Sequence, residues 1–228
     1  MPAAERPAAE ADRLRALESY RILDTAPEAV FDDLVAVAAH ICGTPISLIT
    51  LIDDSRQWFK ARVGLDIAET RREHAFCAHA ILDTRPLIVP DATTDTRFAD
   101  NPYVVEAPSI RFYAGAPLVT PDGQALGTLC VLDSVPRDLT PPQLAALQAL
   151  ARQAAALLEW RKTMAELAAA LQSVRTLEGL IPICSGCKSM RDDTGYWQRV
   201  EAYLGERSGA TFSHGLCPDC ITRMYPDV

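Results

Sequence analysis

Apolar residues at the start of the chain recur at helical spacing, and the period then changes. Leu14, Leu17 and Ile22 share one face of a segment opening at residue 11, and Asp24-Thr25-Ala26-Pro27 supplies its stop. Phe31, Leu34, Val35 and Ala38 repeat at i, i+3, i+4 and i+7, which predicts a second helix over residues 27–40. Strand patterns follow over residues 46–52, 57–62, 87–89, 111–119 and 125–132, the last two joined by the turn Thr120-Pro121-Asp122-Gly123. A short helix is predicted over residues 73–82. Residues 91–108 are polar and rich in turn formers, which predicts a long loop of the kind that often carries function.

A long helix is predicted from the Thr140-Pro141-Pro142 start to Glu178, because neither Pro nor Gly interrupts residues 143–178. Within it Leu157, Trp160, Met164, Leu167, Leu171 and Val174 alternate three and four apart. That seam predicts pairing with a second copy of the chain as a coiled coil; packing of a single helix on its own domain is the competing reading. Gly179 and Pro182 mark the helix end. The expected organisation is a disordered Ala/Pro/Glu-rich stretch over 1–10, a main domain over 11–160, a linker helix over 161–179 and a separate cysteine-containing unit over 180–228.

Charge and composition narrow the function classes. The 228 residues carry a formal net charge of −8, against the clustered Lys and Arg that phosphate-backbone binding needs. No apolar run is long enough to cross a bilayer, and the N-terminus has no apolar core of a secretory signal, so the expected location is the cytoplasm. Thiols there are mostly reduced, and paired cysteines point to metal or redox chemistry.

Cys184-Ser185-Gly186-Cys187 and Cys217-Pro218-Asp219-Cys220 are two Cys-x-x-Cys pairs. Two such pairs supply the four thiolates of a tetrahedral zinc site, and a unit this small has little core of its own, so a structural zinc ion held by Cys184, Cys187, Cys217 and Cys220 is expected. His214 is an alternative ligand or a hydrogen-bonding neighbour. A thiol switch at one pair is the rival. A helix is expected over residues 197–204, with Ile183, Tyr196, Trp197, Val200, Tyr203, Leu204, Phe212 and Tyr225 as core.

Several strings then become specific: residues 17–25 (LESYRILDT), 53–62 (DDSRQWFKAR), 76–81 (FCAHAI), 97–102 (RFADNP), 111–118 (RFYAGAPL) and 127–133 (GTLCVLD). Together these closely resemble a bacterial subgroup of GAF domains found in sensor kinases and diguanylate cyclases. The resemblance implies an α+β fold: an antiparallel sheet flanked by helices, a ligand-sized pocket on one face, and flanking helices that pair two copies and pass the signal on. The partners it implies are a small-molecule ligand and a signalling protein such as a kinase or cyclase; neither membrane nor nucleic acid is expected. Ala78 separates Cys77 from His79, where bilin-binding relatives have Cys followed directly by His, so a photoreceptor is not expected.

Candidate ligand-binding residues are Trp58, Phe76, Cys77, His79, Asp91, Asn101, Arg111 and Tyr113, with Arg97 and Asp100 beside the same loop. Packing of the aromatics as core is the bland alternative. Cys130 and Cys42 read as small buried hydrophobes. The chain shows no Gly-rich phosphate loop, no kinase histidine box and no cyclase motif, so a non-catalytic sensor or adaptor is expected. The rival readings are a GAF-fold thiol-dependent reductase of the free methionine sulfoxide type, using Cys77 or Cys130, and a regulator whose cysteine unit binds nucleic acid.

Overall fold

The computed structural model describes residues 4–178, 182–192, 194–209, 211–213 and 215–224. The chain divides into two compact units, Met1–Glu166 and Leu167–Val228.

In the first unit, α1 (Glu10–Ser19) and α2 (Ala29–Cys42) precede the strands β1 (Ile46–Ile52), β2 (Arg56–Val63) and β3 (Glu69–Arg71). A 3-10 turn (Arg72–His74) leads into α3 (Phe76–Ala80), then β4 (Leu87–Val89), α4 (Pro102–Val105), β5 (Phe112–Val119) and β6 (Ala125–Asp133). The long helix α5 (Pro141–Glu178) follows. α2 stops at Gly43, whose left-handed φ of 66° lets its N–H reach back to the Ala39 and His40 carbonyls. Pro102 opens α4 where its missing N–H costs nothing, and Asn101 caps it by accepting from the Tyr103 N–H.

The strands form one antiparallel sheet in the order β3-β2-β1-β6-β5-β4. Every residue of β1 and β6 is buried, because both faces of the sheet are covered. Side chains alternate faces with period two. Ile49 and Leu51 of β1, Trp58 of β2, Phe112 and Ala114 of β5, and Leu129 and Val131 of β6 turn to one face, where they meet Phe31 and Val35 of α2 and Leu147, Ala151, Ala154 and Leu158 of α5. Leu48, Ile52, Phe59, Tyr113, Cys130 and Leu132 turn to the other face, under Phe76, Ala80, Phe98 and Val104. The sheet is tightest where Gly127 passes β1: a Cβ on it would lie 1.8 Å from the Thr50 carbonyl oxygen. Glu10, grouped by composition with the N-terminal stretch, is buried in α1 and binds Arg13 and Arg72.

The second unit contains a two-stranded hairpin, β7 (Met190–Arg191) and β8 (Trp197–Gln198), then α6 (Val200–Ser208) and α7 (Pro218–Met224). The Asp192 carboxylate turns the hairpin by accepting from the Thr194 and Tyr196 N–H groups. The helix expected over 197–204 therefore starts later, after a strand residue pair. Helix end Gly179, His214 and Tyr225 lie outside the described residues. Among the described residues no helix is long and apolar enough to cross a membrane. Of the expected seam on α5, Trp160, Met164, Leu167 and Leu171 are exposed.

Candidate functional site

The face of the sheet away from α2 and α5 holds a cavity of about 380 Å³. Leu48, Phe59, Leu65, Phe76, Ile110 and Tyr113 are among its wall residues, and among the described residues no Lys or Arg lines it. Asp66, His74 and Tyr103 also reach this lining, and two further polar features interrupt it.

The first is a cross-strand pair. Gln57 of β2 stands opposite Thr70 of β3, and both line the cavity. Among the described residues, Gln57 Oε1 and Thr70 Oγ1 are buried without a hydrogen-bond partner. A buried acceptor left alone is costly, so each such atom is a place where a bound molecule gains a hydrogen bond.

The second is a pair of thiols. Cys77 of α3 and Cys130 of β6 approach to 3.7 Å between sulfurs. The Tyr113 hydroxyl donates to Cys77 Sγ at 3.4 Å, and Thr50 and Thr128, 3.2 Å apart, lie beside them. Gly115 makes room for that hydroxyl: a Cβ there would lie 2.0 Å from Tyr113 Oη. Burial pushes the Cys77 thiol up, but hydrogen bonds from Cys130, Thr128, Thr50 and Tyr113 more than offset it and bring Cys77 down to about 7. Burial and the neighbouring Cys77 hold Cys130 well above the usual thiol range.

Of the residues expected from sequence to bind a ligand, Phe76, Cys77 and Tyr113 line this cavity. The others are seated elsewhere, each for a physical reason. Trp58 is on the opposite face of the sheet, one residue out of phase with Gln57, and packs in the α2–α5 core. His79 is two residues from Cys77 on a helix and so points elsewhere; its ring packs edge-on against Phe98. Burial and the Arg97 guanidinium keep its imidazole pKa low. Asp91 closes a turn by accepting from the Thr93 N–H and hydroxyl, and Arg97 pairs with Asp95. Asn101 donates to the His74 carbonyl at 2.9 Å and accepts from Tyr103 N; since His74 and Tyr103 both line the cavity, Asn101 positions its wall. Arg111 does the same at the other end, donating to the carbonyls of Val104 and Ile110. Gln57, Asp66, Thr70, His74, Tyr103 and Cys130 complete the polar lining; of these, Gln57, Asp66, Thr70, His74 and Tyr103 were not among the expected ligand-binding residues.

A larger cleft of about 880 Å³ lies nearby, lined by Arg6, Arg56, Arg71 and Arg72 among others. Its arginines are engaged by carboxylates: Arg56 with Asp24, Asp53 and Glu69, Arg72 with Glu10, Arg6 with Asp54, Arg71 with Glu73. An anion entering there would have to displace those partners, so the smaller apolar cavity is the better ligand site.

In the second unit Cys184 and Cys187 lie within hydrogen-bonding reach of each other, and so do Cys217 and Cys220. Among the described residues no group of three or more His, Cys, Asp or Glu side chains is gathered as a metal site. The thiols suit zinc in kind, and among the described residues the two pairs are not gathered into one group. Cys217 precedes α7 and Cys220 is in its first turn, so that pair is positioned by a helix start, while Cys184 and Cys187 flank a turn closed by the Lys188 N–H on the Cys184 carbonyl.

The GAF domain model matches residues 26–158, more than half of the chain. The chain belongs to the GAF domain family. This GAF chain is 46% identical over 147 residues to a Pseudomonas aeruginosa protein named cyclic di-GMP phosphodiesterase; the match covers 64% of this chain and 25% of that relative. The chain thus spans about a quarter of the relative's length. That similarity overturns the expectation of a non-catalytic chain, since the relative bears the name of an enzyme. Among solved structures, the GAF domain of a phosphoenolpyruvate-protein phosphotransferase from Coxiella burnetii has a TM-score of 0.52 at 15% identity, covering 68% of this chain and 96% of that one. The blue-light-absorbing form of the PixJ GAF domain from Thermosynechococcus elongatus also has a TM-score of 0.52, at 17% identity, covering 73% of this chain and 98% of that one. At such identities these two structures establish the fold alone.

Proposed function

We propose that this chain is the sensory part of a cyclic di-GMP signalling system, binding a small, neutral, mainly apolar molecule with a hydrogen-bond donor in the cavity of its GAF domain. The observation that carries the ligand class is the apolar cavity with two orphaned acceptors, Gln57 Oε1 and Thr70 Oγ1. A ligand donor reaching either oxygen satisfies a group otherwise left alone in the wall. Cyclic di-GMP itself suits the cavity poorly: its two phosphodiesters would meet no Lys or Arg there. The link to cyclic di-GMP turnover rests on the 46% identity to the phosphodiesterase of Pseudomonas aeruginosa. α5 supports the relay, because its Leu147, Ala151, Ala154 and Leu158 pack on the strands whose opposite face lines the cavity. The exposed apolar residues Trp160 and Met164 on the same helix support pairing with a second copy.

The test measures cyclic di-GMP in the host with the coding segment for this chain intact, deleted, or carrying Gln57→Leu. Deletion should shift the level, and Gln57→Leu should reproduce the shift while the purified variant keeps its melting temperature. A level unmoved by deletion overturns the signalling assignment; a Gln57→Leu strain identical to the parent overturns the ligand site.

A further inference from the structure

The thiol pair on the cavity wall is not needed for binding a neutral ligand, yet its surroundings are specific. Cys77 and Cys130 are 2% and 0% exposed, both line the cavity, and their sulfurs are 3.7 Å apart. They come from different elements, α3 and β6, and lie 53 residues apart in sequence. Three hydroxyls surround them, and the absence of a side chain at Gly115 leaves the space that Tyr113 Oη fills. A buried cysteine that serves only packing needs no such ring of donors.

We propose that Cys77 and Cys130 are a reactive dithiol that reduces organic hydroperoxides entering the cavity and closes to a reversible disulfide. Donors around Cys77 Sγ favour its thiolate, the nucleophilic form. Cys77 attacks the distal peroxide oxygen: the S–O bond forms, the O–O bond breaks, and the alcohol leaves carrying the proton that the thiol gave up. Cys77 is then a sulfenic acid. Cys130 Sγ attacks that sulfur, the S–S bond forms and water leaves, with the Cys130 proton completing it. One dithiol and one hydroperoxide thus give one disulfide, one alcohol and one water. The two electrons come from the two sulfurs, and an external thiol restores them. Closing the bond requires the sulfurs to approach by about 1.7 Å, a side-chain adjustment given a bond length near 2.0 Å. The apolar wall of Leu48, Phe59, Phe76 and Leu132 favours an alkyl or aryl hydroperoxide over hydrogen peroxide.

The experiment treats the reduced full chain with one equivalent of cumene hydroperoxide at neutral pH, blocks free thiols by alkylation, and maps the peptides by mass spectrometry. The expected product is a Cys77–Cys130 cross-link, two hydrogens lighter than the reduced chain and reversed by dithiothreitol. Cys130→Ala should stop at a Cys77 sulfenic acid, trapped by dimedone. Tyr113→Phe, which keeps the shape of the wall, should slow cross-linking about tenfold through loss of one hydrogen bond to the thiolate. Cross-links confined to Cys184, Cys187, Cys217 and Cys220, with Cys77 and Cys130 still alkylated, overturn the proposal, as does a Tyr113→Phe rate equal to that of the parent chain.

Discussion

The two units bury their apolar residues on different scales. In the first, Ile49, Leu51, Leu129 and Val131 have no exposed surface, and covered residues lie on both faces of one sheet. In the second, Met190 and Tyr203 are the buried apolar residues among those described, while Tyr196, Trp197 and Phe212 are 71%, 46% and 43% exposed. Small units bury a smaller share of their surface, and a two-residue core gains little against chain entropy. The first unit therefore has a structural surplus from which a cavity can be carved. The second depends on its turns and helix caps.

The comparison is tested hardest at glycines. Gly127→Ala would force β1 and β6 apart at the Thr50 carbonyl, 1.8 Å from the new Cβ, and should cost more than about 4 kcal/mol of the first unit's stability. Gly209→Ala, at φ 67° with no atom within 4 Å of its Cβ, should cost about 1 kcal/mol in the second. Urea unfolding followed by amide exchange separates the two; equal losses would dissolve the contrast. A step smaller, Leu129→Ala should cost about 3 kcal/mol, and Trp197→Ala less than about 1 kcal/mol, by the same measurement.

Acid comes next. Burial raises the Glu10 pKa, but hydrogen bonds from Arg13 and Arg72 outweigh it and hold the carboxyl at about 2, from an ordinary 4.5. A depressed folded-state pKa contributes stability above the unfolded value and loses it as pH falls through the folded one. On the order of 3 kcal/mol, present above about pH 5, should therefore disappear between about pH 5 and pH 2. Glu10→Gln should flatten that part of the stability–pH curve; an unchanged curve would exclude Glu10 as its source. The smallest effect expected is that of zinc. With the pairs apart, one equivalent should slow amide exchange around Cys184–Cys187 and Cys217–Cys220 by less than about 1 kcal/mol and leave the first unit alone. Protection of several kcal/mol would mean that the four thiolates converge around the ion.

Much of the first unit was legible because its signals are local. The β-branched run of residues 46–52 and the Phe31–Leu34–Val35–Ala38 stripe each specify an element without outside help. β3 was missed because Glu69, Thr70 and Arg71 are polar and become a strand only by pairing with β2. α4 was missed inside the long loop although Asn101-Pro102 spells a cap followed by a first-turn proline. The cavity was half legible. Phe76, Cys77 and Tyr113 belong to distinctive strings, whereas Gln57 and Thr70 matter only because the hairpin sets them side by side with their oxygens unpaired. Asp91, Asn101 and Arg111 carry the polarity of binding residues, but each bonds nearby groups of the chain: the Thr93 N–H and hydroxyl, the His74 carbonyl and Tyr103 N–H, and the Val104 and Ile110 carbonyls. Spacing alone also suggested one four-thiolate centre; it fixes which sulfurs are near within each pair and leaves open whether the pairs meet. Missing catalytic motifs invited the reading of a non-catalytic chain, which the similarity to a named phosphodiesterase overturns.

Along β1 the cavity side of the sheet holds Leu48 and Ile52 while the helix layer holds Ile49 and Leu51. Such a ribbon has no slack between its two compartments. Rolling it by a few degrees to make way for a guest swings the odd-numbered side chains against α2 and α5 in the opposite sense, like the two ends of a rocker on one pivot. Under the proposed function, news of occupancy would cross the domain in a single layer of backbone, with no chain of intermediaries to be severed one link at a time.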